Sequence, residues 1–270
     1  MAVLAVGSSG CGSDSGGSGG AGESGQGPSP ALTATTPAQA ADLVTNGVDD
    51  LGASRALEEA MRGLGELSTY RVAGSPTAGA PLDLVFVAGT PLGPSRPQAT
   101  PPADPGEGRT GRGVQGTLTR DGSTFELLAV DSAVYVRGNL DWLAATVGED
   151  ARRTLGDKWL LLPPSLARDL EAVTDPDAFA EAVLAPTGDV DSVGVSLIEG
   201  EPALGVRYLD NEATAWVAGT GPVLPVLVER LGATATDGLL RFFDFDADVV
   251  LQAPPAESIV VVPEPPAPSG

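Results

Sequence analysis

The chain has 270 residues, with 15 Lys or Arg against 36 Asp or Glu, so its formal net charge at pH 7 is −21. It contains no histidine, which excludes a Ser-His-Asp triad, imidazole acid–base chemistry and His-ligated metals. A single cysteine excludes an internal disulfide and a thiolate metal cluster, and the negative charge repels nucleic acid, so no cofactor, metal or nucleic-acid partner is expected.

Glycine and proline gather in three stretches, about Gly7 to Pro37, Gly89 to Gly113, and Pro254 to Gly270. The segments expected are therefore a signal or lipobox region at 1–10, a Gly/Ser/Pro tether at 11–37 and a single domain at 38–254. A disordered insertion at 89–113 and a Pro-rich tail at 255–270 complete the division. Met1 to Val6 is too short to span a bilayer, which takes about 20 apolar residues. We expect it to be the end of a signal sequence whose start lies further upstream.

Within the domain, Ala38 to Leu67 reads as helical, with Leu57, Met61, Leu64 and Leu67 recurring at spacings of four and three and Ser54 as the expected N-cap. The period then changes to two. Strands are expected over Tyr70–Ala73, Leu82–Val87, Gly116–Arg120, Thr124–Val130 and Val134–Gly138, with hairpin turns at Asp121-Gly122 and Asp131-Ser132. Helices follow at Asp141–Leu155, Leu166–Val173 and Asp177–Leu184, the last opened by Asp175-Pro176. Lys158 to Leu162 reads as an apolar strand before Pro163-Pro164. The remaining strands are Val193–Ile198, Ala203–Leu209, Ala213–Val217, Val226–Leu231, Leu239–Phe243 and Val249–Gln252. Their short connections force antiparallel neighbours. The fold class is α+β, an antiparallel curved sheet (half-barrel) with helices packed on its concave face.

Cys11, followed by a Gly/Ser tether, resembles the lipobox of bacterial lipoproteins, although Ser8 stands where that pattern has leucine. Several motifs in the domain then resemble the LppX/LprG lipoproteins and, more distantly, the LolA-like periplasmic lipoprotein carriers. They are a helix running into Ser68-Thr69-Tyr70-Arg71-Val72, a Tyr135-Val136-Arg137-Gly138 strand, Lys158-Trp159 before an apolar strand, and a closing meander with Ala215-Trp216-Val217 and Pro225-Val226-Leu227. The resemblance implies a non-catalytic protein with Cys11 lipidated (palmitate among the acyl groups expected), anchored extracytoplasmically to the cell membrane. It also implies an apolar cavity between sheet and helices that binds or transfers an acyl lipid or lipoglycan.

The residues expected to face such a cavity are Leu57, Met61 and Leu64 on the first helix and Leu82, Leu84 and Phe86 on one strand. Phe125, Leu127, Trp142, Phe179, Leu204, Val206 and Tyr208 complete the set. Apolar alternation is equally that of a filled core, so the alternative is an anchored interaction or structural domain without a ligand. An extracytoplasmic hydrolase is disfavoured by the missing histidine. Gly111-Arg112-Gly113-Val114-Gln115-Gly116 matches the dinucleotide fingerprint but enters a strand, not a helix. Asp244-Phe245-Asp246-Ala247-Asp248 opens like a calcium loop but lacks the later glycine and glutamate.

Overall fold

The computed structural model describes residues 40–88, 112–138, 158–234 and 236–264. Cys11, Trp142, the tether at 11–37, nearly all of the 89–113 insertion and the expected helix Asp141–Leu155 lie outside the described residues.

Helix α1 (Ala53–Glu66) forms because Ala56, Leu57, Ala60 and Leu64 fall on one stripe, and all four are buried. It is shorter than the helical pattern expected over Ala38–Leu67: residues 42–52 ahead of it are turns, bends and a single 3-10 turn at Val48–Asp50. Gly52 is the N-cap, in extended conformation and without a side-chain cap bond, so Ser54 lies inside the first turn instead of capping it. On the solvent side Arg62 pairs with Glu59 at 2.5 Å, and also with Glu66.

Strands β1 (Thr69–Ser75), β2 (Leu82–Val87), β3 (Gly113–Arg120), β4 (Ser123–Val130), β5 (Ala133–Gly138) and β6 (Trp159–Leu161) come next. Short helices α2 (Pro164–Arg168) and α3 (Glu171–Thr174) lead to α4 (Pro176–Leu184). The chain closes with β7 (Val190–Ile198), β8 (Glu201–Tyr208), β9 (Ala213–Ala218), β10 (Pro225–Thr234), β11 (Asp237–Phe243) and β12 (Ile259–Val261). Among the described residues these twelve strands form one sheet in the order β12-β6-β5-β4-β3-β2-β1-β11-β10-β9-β8-β7. Every neighbouring pair is antiparallel except β12 and β6. The fold is thus α+β, a curved open sheet with its helices on one face. The turns behave as their residues require: Asp121 and Gly122 have φ of 52° and 75°, and Asp131 and Ser132 have 50° and 70°, the twist that suits a two-residue hairpin.

Four further expectations need correction. Gly113, expected inside the insertion, opens β3, which begins three residues before Gly116. A Cβ there would lie 2.0 Å from the Ala129 carbonyl oxygen, so this glycine marks a close strand approach and not a loop. Leu166–Val173 breaks into α2 and α3 around Asp169 and Leu170. Val249–Gln252 is not a strand; Leu251 is instead buried against Val87, Leu128, Val130 and Tyr135. The expected Pro-rich tail supplies β12, whose Ile-Val-Val run pairs with the edge of β6, and Val262 behind it is buried.

The main core lies between α1, α4 and the sheet, with α1 packed over β7 to β10. A second, smaller cluster around Leu128, Tyr135 and Leu251 sits on the opposite face.

Candidate functional site

Alternation along the strands decides what faces the helices. Tyr70 and Val72 on β1, Leu84 and Phe86 on β2, and Leu240 and Phe242 on β11 are paired in register and point to one side. There they meet Phe179 from the middle of α4. The ring of Phe179 lies 4.7 Å from Phe86 and 6.5 Å from Phe242, while Tyr70 lies 4.9 Å from Phe86.

The fold brings most of the expected residues into this layer. Leu57, Leu64, Leu84, Phe86, Phe125, Leu127, Phe179, Leu204, Val206 and Tyr208 belong to one cluster, each no more than 4% exposed. Met61 and Leu82 are half-buried at its edge. Trp142 lies outside the described residues. Sequence reasoning missed Tyr70 and Phe242, although each belongs to an alternating run that would have placed it on the same face.

Two tyrosine hydroxyls fix the helix layer to the sheet. Tyr70 Oη donates to the carbonyl of Pro176 at 3.0 Å, and Tyr208 Oη donates to that of Leu184 at 2.7 Å, so both ends of α4 are held. Leu184 is the last residue of α4, so its carbonyl has no partner within the helix. Burial pushes both phenols above the ordinary tyrosine value, Asp177 and Asp175 adding to the effect at Tyr70 and Asp210 at Tyr208. Asp175 caps α4 as its sequence suggests, accepting from the backbone N–H of Asp177 and Ala178 at 2.9 Å each. Arg112, just ahead of β3, pairs with both Asp175 and Asp177. Among the described residues the buried polar side chains are Thr69, Ser75 and Ser123, and no charged side chain is buried. The layer can hold hydrocarbon and rings.

The other face is mixed. Arg71 pairs with Asp83 at 2.6 Å and with Asp244 at 3.5 Å, and its guanidinium lies 5.2 Å from the Phe243 ring centre. Arg137 pairs with Glu126 at 2.5 Å and sits 4.5 Å from the Trp159 ring centre. Asp246 accepts from Ser68 N–H at 2.8 Å and Ser68 Oγ at 2.9 Å. The Asp244–Asp248 run is therefore a latch on the start of β1. Among the described residues no cluster of three His, Cys, Asp or Glu could hold a metal, and no helix is long and apolar enough to cross a membrane. A cavity of about 560 Å³ lies beneath the β7–β8 turn and is lined by none of the expected residues.

No protein-family model matches the sequence, and no curated protein does. Solved structures do. The chain is similar to two mycobacterial lipoproteins. LprF from Mycobacterium bovis shares 12% identity over 75% of this chain and 96% of its own, with a TM-score of 0.45. Lipoprotein LppX from Mycobacterium tuberculosis shares 13% identity over 74% of this chain and 98% of its own, with a TM-score of 0.37. A chain of the Pseudomonas aeruginosa MucA/MucB complex shares 16% identity over 76% of this chain but only 59% of its own, with a TM-score of 0.29.

Proposed function

We propose that this chain is a non-catalytic cell-envelope lipoprotein, anchored to the membrane through Cys11, that binds or transfers an acyl lipid or lipoglycan between its helices and its sheet. The observation that carries the reading is the chemistry of that layer. Aliphatic and aromatic side chains line it from both sides, and its few polar contacts are tyrosine hydroxyls spent on holding α4 in place. An acyl chain needs apolar surface and very little polar recognition. Parting α4 from the sheet would break two hydrogen bonds there, and an acyl chain could replace the apolar contacts. The lone cysteine ahead of a Gly/Ser tether supports the anchor and the extracytoplasmic location.

The test is organic extraction and mass spectrometry of the full chain purified from envelopes. Acyl lipid should co-purify, and Leu64→Trp should displace it. Expressed in cells, the protein should partition into membranes and Cys11→Ala should release it. Absence of lipid from wild type and equal membrane association of the two proteins would overturn the reading.

A second reading has an observation of its own. Leu57 and Leu64 are 0% and 1% exposed, as in a closely packed core. An anchored interaction domain without a ligand predicts that Leu64→Trp overpacks the core, costing about 1–3 kcal/mol, with no lipid in either sample.

A further inference from the structure

We infer that the sheet face turned away from the helices carries a separate binding site, beneath the β7–β8 turn, for an amphiphilic cation: an apolar chain bearing an ammonium group.

Register places the site. Ala203 pairs with Ser196 on one side and Ala218 on the other, Ile198 pairs with Glu201, and Leu227 pairs with Arg241. These positions alternate with Leu204, Val217 and Leu240, which face the main core, so they lie on the opposite side of the sheet. Yet Ala203 is 1% exposed and Leu227 only 7%, although the helices of the main core lie on the other face. The β7–β8 turn borders the same space as both residues. Glu199 in that turn forms an ion pair with Arg241 on β11, with β8, β9 and β10 lying between β7 and β11 in the sheet. The turn is therefore folded across the face, and the 560 Å³ cavity lies under it. The register shift between Pro225 and Leu227 leaves Val226 as an extra residue in its wall. The volume falls in the range of small-molecule sites, roughly 300–1,000 Å³.

Charge decides the class of ligand. Ile198, Ala218, Val226 and Phe243, all half-buried, offer the apolar surface, and the charged lining is Glu199, Glu201 and Arg241. The Arg241 guanidinium is already held by Glu199, which leaves the Glu201 carboxylate as the uncompensated charge at the rim. The whole chain adds a field of the same sign, with net charge −21. An ammonium would sit against Glu201 with its chain on Ala218 and Phe243, whereas an anionic head would face two carboxylates and have to displace one. The Arg241 and Glu199 side chains are 53% and 63% exposed, so the pair is weak and opens readily for entry. Phe242 alone of the aromatic layer also borders this cavity, and none of the residues expected from the sequence does, so this inference does not rest on that reading.

Calorimetric titration of the full chain with decyltrimethylammonium and with decanoate, both below their micellar concentrations, tests it. Saturable binding of one cation per chain is expected, with decanoate weaker by about tenfold or more. Ala218→Leu, which fills the cavity floor, should weaken cation binding about tenfold. Glu201→Gln, at the exposed rim where refolding is not at issue, should cut the cation-over-anion preference about threefold. Equal affinity for the two head groups, a preference unchanged in Glu201→Gln, or the absence of saturable binding would each overturn it. Unchanged affinity in a folded Ala218→Leu protein would do the same. Acyl lipid in an organic extract of the same samples reports on the helix-covered layer alone, so either idea can fail without the other.

Discussion

The two faces of the sheet are both apolar in large part, but they are sealed by different means. One is covered by separate helices whose side chains interlock with it, Phe179 reaching in among Phe86 and Phe242. The other is closed by the chain's own connections: the segment after β11 places Leu251 on Leu128, Val130 and Tyr135, and the β7–β8 turn borders the space at Ala203 and Leu227. A helix layer can part from a sheet as a unit, exposing a broad apolar surface. A turn or tail covers only what lies directly beneath it. The proposed carrier function therefore belongs with the helix face, and the proposed small site with the other.

That comparison breaks first, and hardest, at Phe179. Truncation to alanine removes the ring that joins α4 to the sheet and should cost about 3–5 kcal/mol in chemical denaturation. A loss below about 1 kcal/mol would mean that the layer is loosely filled even without ligand. Leu251→Ala sharpens the contrast on the other face. Leu251 is 1% exposed but belongs to the smaller cluster, so its truncation should cost about 2 kcal/mol, the low end for a buried leucine. Hydrogen exchange should speed up at the ends of β3 and β4 and remain unchanged in α4.

Much of this was legible in the sequence for a physical reason: hairpin-connected strands keep their side-chain alternation, so Leu84, Phe125 and Val206 announce both the element and its buried side. Asp121-Gly122 and Asp131-Ser132 fixed their turns because those residues tolerate positive φ. Illegible were features set by distant contact. Gly113 reads as loop but is a close approach to Ala129, and the Ile259–Val261 run becomes a strand only because β6 presents an unpaired edge. The burial of Ala203 and Leu227 could not be inferred either, since alternation assigns both to a solvated face. The residues expected to face the helices, Trp142 outside the described residues excepted, fall in the helix-covered layer or at its edge. Whether they line a space or fill one is a question of volume, which pattern does not encode.

Smaller effects test the polar contacts that join the layers. Tyr208→Phe removes the donor to the Leu184 carbonyl and should cost about 1–2 kcal/mol at neutral pH. Burial raises this phenol above its ordinary value, so its contribution is complete below about pH 10 and declines as pH rises through the higher folded value. The gap between wild type and Tyr208→Phe should therefore narrow in alkaline denaturation series, and a gap constant to high pH would contradict the assignment.

The smallest expected effect lies on the face without helices, at Asp83. Arg71 Nε donates to its Oδ1 at 2.7 Å and Arg71 Nη2 to its Oδ2 at 2.6 Å, a bidentate arrangement that holds the carboxyl below the usual aspartate value. Geometry of this quality would be strong if dry, but the two side chains are 38% and 41% exposed, so solvent screens most of it. Asp83→Asn should cost about 0.5 kcal/mol at pH 7, well below any truncation in the helix-covered layer. The sign with pH follows from the lowered value: the ion pair stabilises fully above about pH 4, the ordinary aspartate range, and is lost as pH falls through the folded value. Urea denaturation of both proteins at neutral pH and at about pH 2 should therefore show a small gap that closes in acid. A gap that persists in acid would mean that Asp83 acts through packing or strand pairing instead of charge, and the two faces would then differ less than their covers suggest.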